Sequence, residues 1–378
     1  MRPRQFLALG AILVMAAYPA AGGFYIAHGD AGVVEGQQIY AGTAPGGIGV
    51  IAEISGAFDL SGSAAPQAVL IGSNGAWGCM QFIDGVIQTN GQGVQFGTAG
   101  GTGLATQVGG TLAVSGGSFG IGIATGNGTY AIQGGLVSLG GVSAFVGGGG
   151  GGGGRSIGAL NVTGGSFAAS DSLDIGFDGG QGTANLTGGV FVAAQVGVGA
   201  NGTVGMSNAT LAVGKDCGFS ADSLALYATA DQATGNDVKL SVQLASLTDY
   251  TNLSVSGMFS SGTVYAADPL AAWELPILNV QLTDGFAPAL GDEFVIAQAG
   301  SFQTTDPLTG IVTAGVLDFS AITCSTSLAD PDWAWGVRVD EGTDLVLYVM
   351  AMEQMRIPEP ATLALLALGG AALPRRRR

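Results

Sequence analysis

Short apolar segments with a two-residue period dominate the middle of this chain, and glycine-rich turns separate them. In Thr111–Ser115, for example, Leu112 and Val114 are apolar and their neighbours are small or polar. Such alternation is typical of a strand with one buried face, whereas an amphipathic helix needs a period near 3.6 residues. No long stretch between the two termini keeps a helical period without a glycine interrupting it. The pattern therefore predicts an all-β fold.

An internal repeat makes this prediction more specific. Five segments align on two apolar residues spaced two apart and followed by a turn, and they recur at unequal intervals. They are Thr111–Phe119, Thr129–Val137, Ala159–Phe167, Thr183–Phe191 and Thr203–Leu211. A second element, an apolar residue followed by glycine, recurs at Ile121-Gly122, Val146-Gly147, Ile175-Gly176 and Val198-Gly199. Repeats of about 20 to 25 residues that hold several short strands predict a parallel β-helix, a solenoid of stacked turns.

The alignment predicts which side chains fill the interior of the solenoid. The three expected stacks are Leu112/Tyr130/Leu160/Ala184/Val204, Val114/Ile132/Val162/Leu186/Met206 and Phe119/Val137/Phe167/Phe191/Leu211. A Gly-Gly pair should turn the corner before the third stack, because glycine adopts left-handed backbone angles without strain. Asn208-Ala209 replaces that pair in the last segment. Asn161 and Asn185 fall at equivalent positions, as polar side chains stacked on one face would.

Composition and charge divide the chain into five regions. They are a signal peptide (1–23), an N-terminal cap or first coils (24–69), glycine-rich β-helix repeats (70–214), a C-terminal β domain with the last coils and a cap (215–351), and a tail (352–378). A cap is required because the open end of a solenoid exposes apolar stacks and unpaired strand edges. Trp333 and Trp335 are expected to cover that end, and contact with carbohydrate is the alternative role for them.

The charge balance restricts the possible partners. The chain carries a net charge of −16, with 27 acidic and 11 basic residues. Because binding to nucleic acid depends on Lys and Arg neutralising phosphates, nucleic acid is not an expected partner. The acids concentrate late in the chain, with 17 between Asp216 and Asp344 and eight between Asp30 and Asp178.

The inventory of reactive residues argues against an enzyme. His28 is the single histidine and lies near the N-terminus, so no histidine on the repeats can act as a base or a metal ligand. A pair of carboxylates could still cleave a polysaccharide, since glycosidases need two acids about 5 to 10 Å apart. The candidate acids are Asp171, Asp174 and Asp178 on one coil, and Asp330 and Asp332 on either side of a proline. No cofactor or metal site is expected, although weak surface binding of Ca²⁺ stays open.

Both ends of the chain have the composition of sorting signals. Arg2 and Arg4 precede an apolar stretch over residues 6–17 and a small-residue region near Gly22, as in a secretory signal peptide. At the other end, an apolar run over residues 361–373 follows Pro358, Glu359 and Pro360 and precedes Arg375, Arg376, Arg377 and Arg378. Thirteen residues are fewer than the roughly 20 that span a bilayer comfortably, which suits a removable anchor. The arginines favour a cytoplasmic end for this short transmembrane helix.

The order of motif, apolar helix and arginine cluster resembles the PEP-CTERM tail that exosortases recognise. The resemblance implies export by signal peptidase, transient anchoring in the inner membrane by the C-terminus, and cleavage by an exosortase near Pro358–Pro360. The final location would then be the cell surface or the extracellular space of a Gram-negative-type envelope. The glycine-rich repeats in residues 70–214 are similar to those of autotransporter-like β-helical passenger proteins, a likeness that concerns shape more than activity.

Together these features indicate a non-enzymatic, exported structural or adhesion protein of the cell surface or the extracellular matrix. Its expected partners, besides the processing enzymes, are extracellular polysaccharide or other envelope components. The alternative is a β-helical protein that binds or cleaves polysaccharide with an aspartate pair.

Overall fold

The computed structural model is built of β-strands, as the sequence predicts. It describes residues 16–20, 23–34, 36–148, 156–177, 180–199, 208–227, 238–262, 275–305, 311–324, 328 and 330–352. Twenty-eight strands lie within these residues. In chain order they are β1 (Ala16–Ala20), β2 (Gly23–Gly29), β3 (Ala31–Val34), β4 (Gln38–Ala41), β5 (Ile48–Asp59), β6 (Gln67–Ile71), β7 (Trp77–Asn90), β8 (Gly93–Thr98), β9 (Thr102–Gln107), β10 (Thr111–Ser115), β11 (Phe119–Ile123), β12 (Asn127–Ile132), β13 (Leu136–Gly140), β14 (Ala144–Gly148), β15 (Ile157–Val162), β16 (Ser166–Ile175), β17 (Gln181–Leu186), β18 (Gly189–Gly199), β19 (Asn208–Val213), β20 (Cys217–Tyr227), β21 (Val238–Leu244), β22 (Leu253–Gly262), β23 (Ile277–Leu282), β24 (Glu293–Thr305), β25 (Val312–Ala314), β26 (Ala321–Cys324), β27 (Trp333–Asp340) and β28 (Asp344–Ala351).

Three parallel sheets wind into the predicted solenoid. Sheet 1 stacks β4, β6, β8, β11 and β14 and continues in the second halves of β16, β18, β20, β22 and β24. Sheet 2 stacks the first halves of β5 and β7, then β9, β12, β15, β17, β19, β21, β23 and β26. Sheet 3 stacks the second halves of β5 and β7, then β10 and β13 and the first halves of β16, β18, β20, β22 and β24. The chain visits sheets 1, 2 and 3 in turn, so each turn of the solenoid has three sides.

The length of one turn can be read from the residues that pair in sheet 2. Thr102 pairs with Asn127, Asn127 with Ile157, and Ile157 with Gln181. One turn in this region therefore takes roughly 25 to 30 residues, close to the repeat length of a solenoid built of short strands. The parallel β-helix is confirmed.

The interior stacks are confirmed for the middle repeats. Tyr130, Leu160 and Ala184 pair in register in sheet 2 and are buried, and so are Ile132, Val162 and Leu186. In sheet 3, Val137, Phe167 and Phe191 stack as expected, and Phe219 continues the row. The Phe191 ring lies 5.4 Å from the Phe167 ring and 5.3 Å from the Phe219 ring, nearly parallel to both. Aromatic stacking thus runs along the axis of the solenoid.

The first aligned segment was placed in the wrong sheet. Leu112 pairs with Ile87 and Val137 in sheet 3 and not with Tyr130, and Val114 pairs with Leu139. Phe119 pairs with Val94 and Ala144 in sheet 1. Strands of all three sheets bury alternate apolar residues and end near glycine. The sequence alignment therefore matched a segment that begins in sheet 3 with segments that begin in sheet 2.

The last aligned segment was also wrong in its register. Residues 201–207, with Val204 and Met206, lie outside the described part of the chain. The strand that follows Ala184 in sheet 2 is β19, in which Leu211 pairs with Ala184 and Val213 with Leu186. Asn208 and Ala209 belong to this strand and do not form a turn.

Glycine is required where sheet 1 passes into sheet 2. The apolar-glycine element recurs here as predicted, since Ile121, Val146, Ile175 and Val198 pair in one row of sheet 1. Gly122 has φ +61°, and a Cβ on it would lie 1.8 Å from the carbonyl oxygen of Ile157 in the next turn. A side chain is excluded both by this contact and by the left-handed backbone.

Antiparallel strands close the two ends. At the N-terminal end, β2 pairs with β5 and with β1, and β3 pairs with β4. At the C-terminal end, β28 pairs with β24 and β27. Parallel pairing continues beyond residue 215 through β21 and β23, so residues 215–351 hold further turns of the solenoid before the antiparallel end.

Candidate functional site

The proposed sorting residues lie outside the described part of the chain. This holds for Pro358, Glu359 and Pro360, for Arg375 to Arg378, and for the apolar stretch near the N-terminus up to residue 15. Within the described residues, no helix is long and apolar enough to cross a bilayer. The signal peptide, the transmembrane helix and the tail motif stay predictions from sequence.

The two tryptophans of the C-terminal end differ in exposure. Trp335 is 8% exposed, and its ring lies 6.3 Å from the buried ring of Phe294. Trp333 is half-buried and packs against the same core. Because a sugar needs an exposed ring face, Trp335 is placed to cover the last stack and not to hold carbohydrate. The alternative role in carbohydrate contact stays a prediction for Trp333.

Asp330 and Asp332, the second predicted pair of acids, lie in a turn just before Trp333. Asp330 accepts a hydrogen bond from the backbone N–H of Asp332 at 2.9 Å, and its carbonyl oxygen accepts one from the N–H of Trp333 at 3.2 Å. These bonds form a turn that starts β27. The side chain of Asp330 thus has a local structural role.

A concave acidic surface also lies at the C-terminal end. It encloses about 510 Å³ and is lined by Glu293, Asp340, Glu341 and Asp344 together with two valines. Arg338 donates hydrogen bonds to Glu293 at 2.9 Å and to Asp340 at 2.8 Å, and it lies over the ring of Tyr348. The ion pairs hold the pKa of Asp340 below its usual value. The arrangement links β24 to β27 and stabilises the end of the fold.

The outer faces of the middle turns of the solenoid carry almost no charge. Residues 85–154 contain no Asp, Glu, Lys, Arg or His, and in 85–214 the charged residues are Arg155, Asp171, Asp174 and Asp178. Among the described residues, the other exposed positions carry glycine, hydroxyl and amide side chains together with several valine, leucine and isoleucine side chains. On sheet 2, Asn185 donates a hydrogen bond to Asn161 of the preceding turn at 2.8 Å, which confirms that these residues stack.

Asp174 is one of the few charged residues in this region, and it faces outward from sheet 1. The residue pairs with Phe145 in the turn before it and with Gly197 in the turn after it. A Cβ on Gly197 would lie 2.7 Å from the Asp174 carboxylate and 3.7 Å from the Tyr227 ring. The lack of a side chain at Gly197 thus lets the carboxylate and the tyrosine ring meet.

The partly exposed aromatic residues of the solenoid gather at the same place. Between residues 85 and 227 there are nine aromatic residues, and six of them are buried in the interior. The other three are Phe145, Phe177 and Tyr227, and all are partly exposed. The rings of Phe145 and Phe177 are in contact, 5.3 Å apart. We call Phe145, Phe177, Tyr227 and Asp174 the aromatic-acid patch.

Electrostatics distinguish Asp174 from an ordinary surface acid. Burial raises its pKa to about 6, against a hydrogen bond from Ser172 that lowers it, and the neighbouring Asp171 raises it further. Burial and the Asp174 charge together raise the pKa of Tyr227. Asp171 itself is exposed and accepts a hydrogen bond from the Ser143 hydroxyl at 3.3 Å. Asp178, the third acid predicted for this coil, lies outside the described residues.

The sequence contained a signal for this patch. Phe145 and Asp174 each precede the apolar residue of the apolar-glycine element, so the repeat itself makes them neighbours on the outer face. Tyr227 could not be found in this way, since its turn lies beyond the last aligned repeat.

Comparisons with known proteins do not assign a function. No family model and no curated protein matches this chain. Among the described residues, no three His, Cys, Asp or Glu side chains are grouped as a metal site would require.

Proposed function

We propose that this chain is an exported structural or adhesion protein of the cell surface or extracellular matrix, and that it works without catalysis. The observation that carries the proposal is the uncharged surface of the described residues 85–148, which are wound on a continuous apolar core. Neutral faces that combine hydroxyl, amide and aliphatic groups suit repeated shallow contact with uncharged polymers or envelope surfaces. Many weak contacts on one rigid body add up by multivalency.

The two ends of the chain support an extracellular setting. Signal peptidase would remove the N-terminal segment together with β1, so that β2 paired with β5 would be left at that end of the fold. An exosortase would act at Pro358, Glu359 and Pro360 after the inner membrane has held the C-terminal helix. The cluster Arg375 to Arg378 would keep the end of the chain in the cytoplasm until cleavage. Neither cofactor nor nucleic acid enters this proposal.

Intact mass and cell fractionation in the native host test the sorting. Wild type should lose the residues after about Pro360 and appear outside the cell. A Glu359→Ala variant should stay full-length in the membrane, because it alters the motif. Glu353→Ala, which removes an acid just before the motif, is the matched control and should behave as wild type. Full-length wild-type protein retained in the membrane would overturn the sorting proposal.

A second candidate function, cleavage of a polysaccharide, is favoured by one observation. Asp174 has its pKa raised to about 6 and lies close to Asp171, which matches a general acid with a second carboxylate nearby. New reducing ends from neutral polysaccharides incubated with the purified protein would support this candidate, provided that Asp174→Asn abolishes them. If no neutral polysaccharide yields new reducing ends, the cleavage candidate is rejected and the structural function is retained.

A further inference from the structure

We propose that the aromatic-acid patch on sheet 1 is a binding site for a chain of uncharged sugars. The rings of Phe145, Phe177 and Tyr227 would pack against the apolar C–H faces of the sugar rings, and Asp174 would accept hydrogen bonds from their hydroxyl groups. The inference deepens the proposed function and rests on it in one respect, since the protein must meet polysaccharide outside the cell.

The distribution of side chains is the first argument for a site. The surface of this part of the solenoid is almost neutral and consists of small, amide and aliphatic side chains, yet its partly exposed aromatic rings and its half-buried acid are found together. The interior accounts for the other six rings between residues 85 and 227. A few polar groups placed among apolar and aromatic side chains are the usual composition of a ligand site.

The geometry across the turns is the second argument. Phe145, Asp174 and Gly197 occupy neighbouring turns of one parallel sheet, and Tyr227 from the next turn leans over Gly197. Adjacent strands are about 4.8 Å apart, so the patch forms a row that extends for roughly 10 to 15 Å along the solenoid. A row of this kind fits an extended ligand that lies across several turns.

The energetic cost of Asp174 is the third argument. Its carboxylate is partly removed from water beside aromatic rings, and Asp171 repels it, which together raise its pKa. The residues that pair in the same row of sheet 1 in other turns are uncharged: Leu70, Gln95, Gly120, Phe145, Gly197, Ala225, Ser260 and Gln303. The charged form of Asp174 therefore lowers the stability of the fold at neutral pH. A residue that lowers stability is consistent with a role in binding, because binding sites commonly hold such residues.

Charge selects uncharged sugars over other polymers. A polymer of uronic acids or nucleotides would be repelled by Asp174, by Asp171 and by the net charge of −16. Neutral sugars bring hydroxyl donors to the carboxylate, and hydrogen bonds to an ionised acceptor are stronger than neutral ones.

The binding test uses the purified full chain with neutral hexasaccharides of glucose, galactose and mannose, and hexagalacturonate as the anionic comparison. Saturation-transfer NMR detects contact between rings and sugar protons, and calorimetry gives the affinity. At least one neutral hexasaccharide should bind, and hexagalacturonate should not. Tyr227→Ala or Phe145→Ala should weaken the affinity about tenfold.

Asp174→Asn keeps the size of the side chain and should weaken binding about fivefold, because a neutral acceptor replaces an ionised one. If an aromatic variant fails to fold, Asp174→Asn still tests whether the patch binds sugar. The matched controls are Trp77→Ala, an exposed ring on sheet 2, and Asp222→Asn, an exposed acid, and both should bind as wild type does.

Three results would overturn the inference. They are no binding of any neutral hexasaccharide, affinities that Asp174→Asn and Tyr227→Ala leave unchanged, and equally tight binding of hexagalacturonate. None of them affects the fractionation result, so loss of the sugar site and failure of the sorting proposal can be told apart.

Discussion

The solenoid has an uncharged part, residues 85–214, and an acidic part, residues 215–351, and both are wound on the same three sheets. Sheet 2 runs through both without interruption. In the uncharged part Ile157 pairs with Gln181, whereas in the acidic part Lys239 pairs with Ile277 and Ile277 with Ala321, so the later turns take much more chain. The interior rows define the fold, and the outer surface and the loops are free to differ.

The corners also differ between the two parts. In the uncharged part, several glycines at corners touch the backbone of the neighbouring turn, as Gly122 does with Ile157. In the acidic part, the left-handed glycines Gly285, Gly291, Gly315 and Gly342 have open space where a Cβ would lie. Tight corners accompany short turns, because little chain is available to pass from one sheet to the next.

Substitution at a tight corner should produce the largest loss of stability. Gly122→Ala places a Cβ 1.8 Å from the Ile157 carbonyl oxygen and should destabilise the fold by about 4 kcal/mol or prevent folding. Gly342→Ala has a similar backbone angle but open surroundings and should cost about 1 kcal/mol. Denaturant unfolding measures both. Equal losses would show that the tight corner does not distinguish the two parts.

The half-buried acid of the uncharged part, Asp174, should have a smaller effect on stability, with a distinct pH dependence. Because the pKa of Asp174 is raised from 3.8 to about 6 in the folded chain, its favourable contribution is complete below about pH 3.8 and is lost as the pH rises through 6. Asn resembles the protonated acid. Asp174→Asn should therefore raise the free energy of unfolding by about 1 to 2 kcal/mol at about pH 8, allowing for partial exposure.

Near pH 3 the same variant and wild type should be equally stable. Asp222→Asn is the control, since Asp222 is exposed on sheet 3 and accepts a hydrogen bond from Ser256. A stabilisation by Asp174→Asn that is the same at both pH values would contradict burial of the charge.

The smallest expected difference between the two parts is the salt dependence of their contacts, measured as a change in Tm. Arg338→Gln breaks ion pairs at the acidic end and should lower the Tm by about 1 to 3 °C, a loss that shrinks in about 1 M NaCl because exposed pairs are screened. Asn185→Ala removes a neutral hydrogen bond between turns and should lower the Tm by a similar amount at any salt concentration. Scanning calorimetry at two salt concentrations makes the comparison. A salt-dependent loss for Asn185→Ala would contradict it.

The fold class could be predicted from sequence because alternation and glycine spacing report directly on strands and corners. The row Tyr130, Leu160 and Ala184 was found correctly. The sheet that contains Leu112 was predicted wrongly, since the strands of all three sheets carry the same alternating pattern. Only the number of residues in each turn distinguishes one sheet from the next. That count varies from one turn to the next within a single sheet, so it could not be fixed without the structure.

The candidate site was only partly predictable. Asp174 was noticed as one of three clustered acids, but its aromatic neighbours come from other turns, and Tyr227 comes from beyond the aligned repeats. Their meeting depends on the register of four turns and on the missing side chain of Gly197. Neither property is visible in a local motif.

The most direct test of a surface protein that acts through neutral faces is a salt wash of the native extracellular fraction. Envelope or matrix material that carries the wild-type chain is washed with about 1 M NaCl, and the protein that remains bound is measured. Retention through the wash is the expected result, because contacts made by uncharged sheets are not screened. Release by salt, or absence of the chain from the extracellular fraction, would contradict the proposed function.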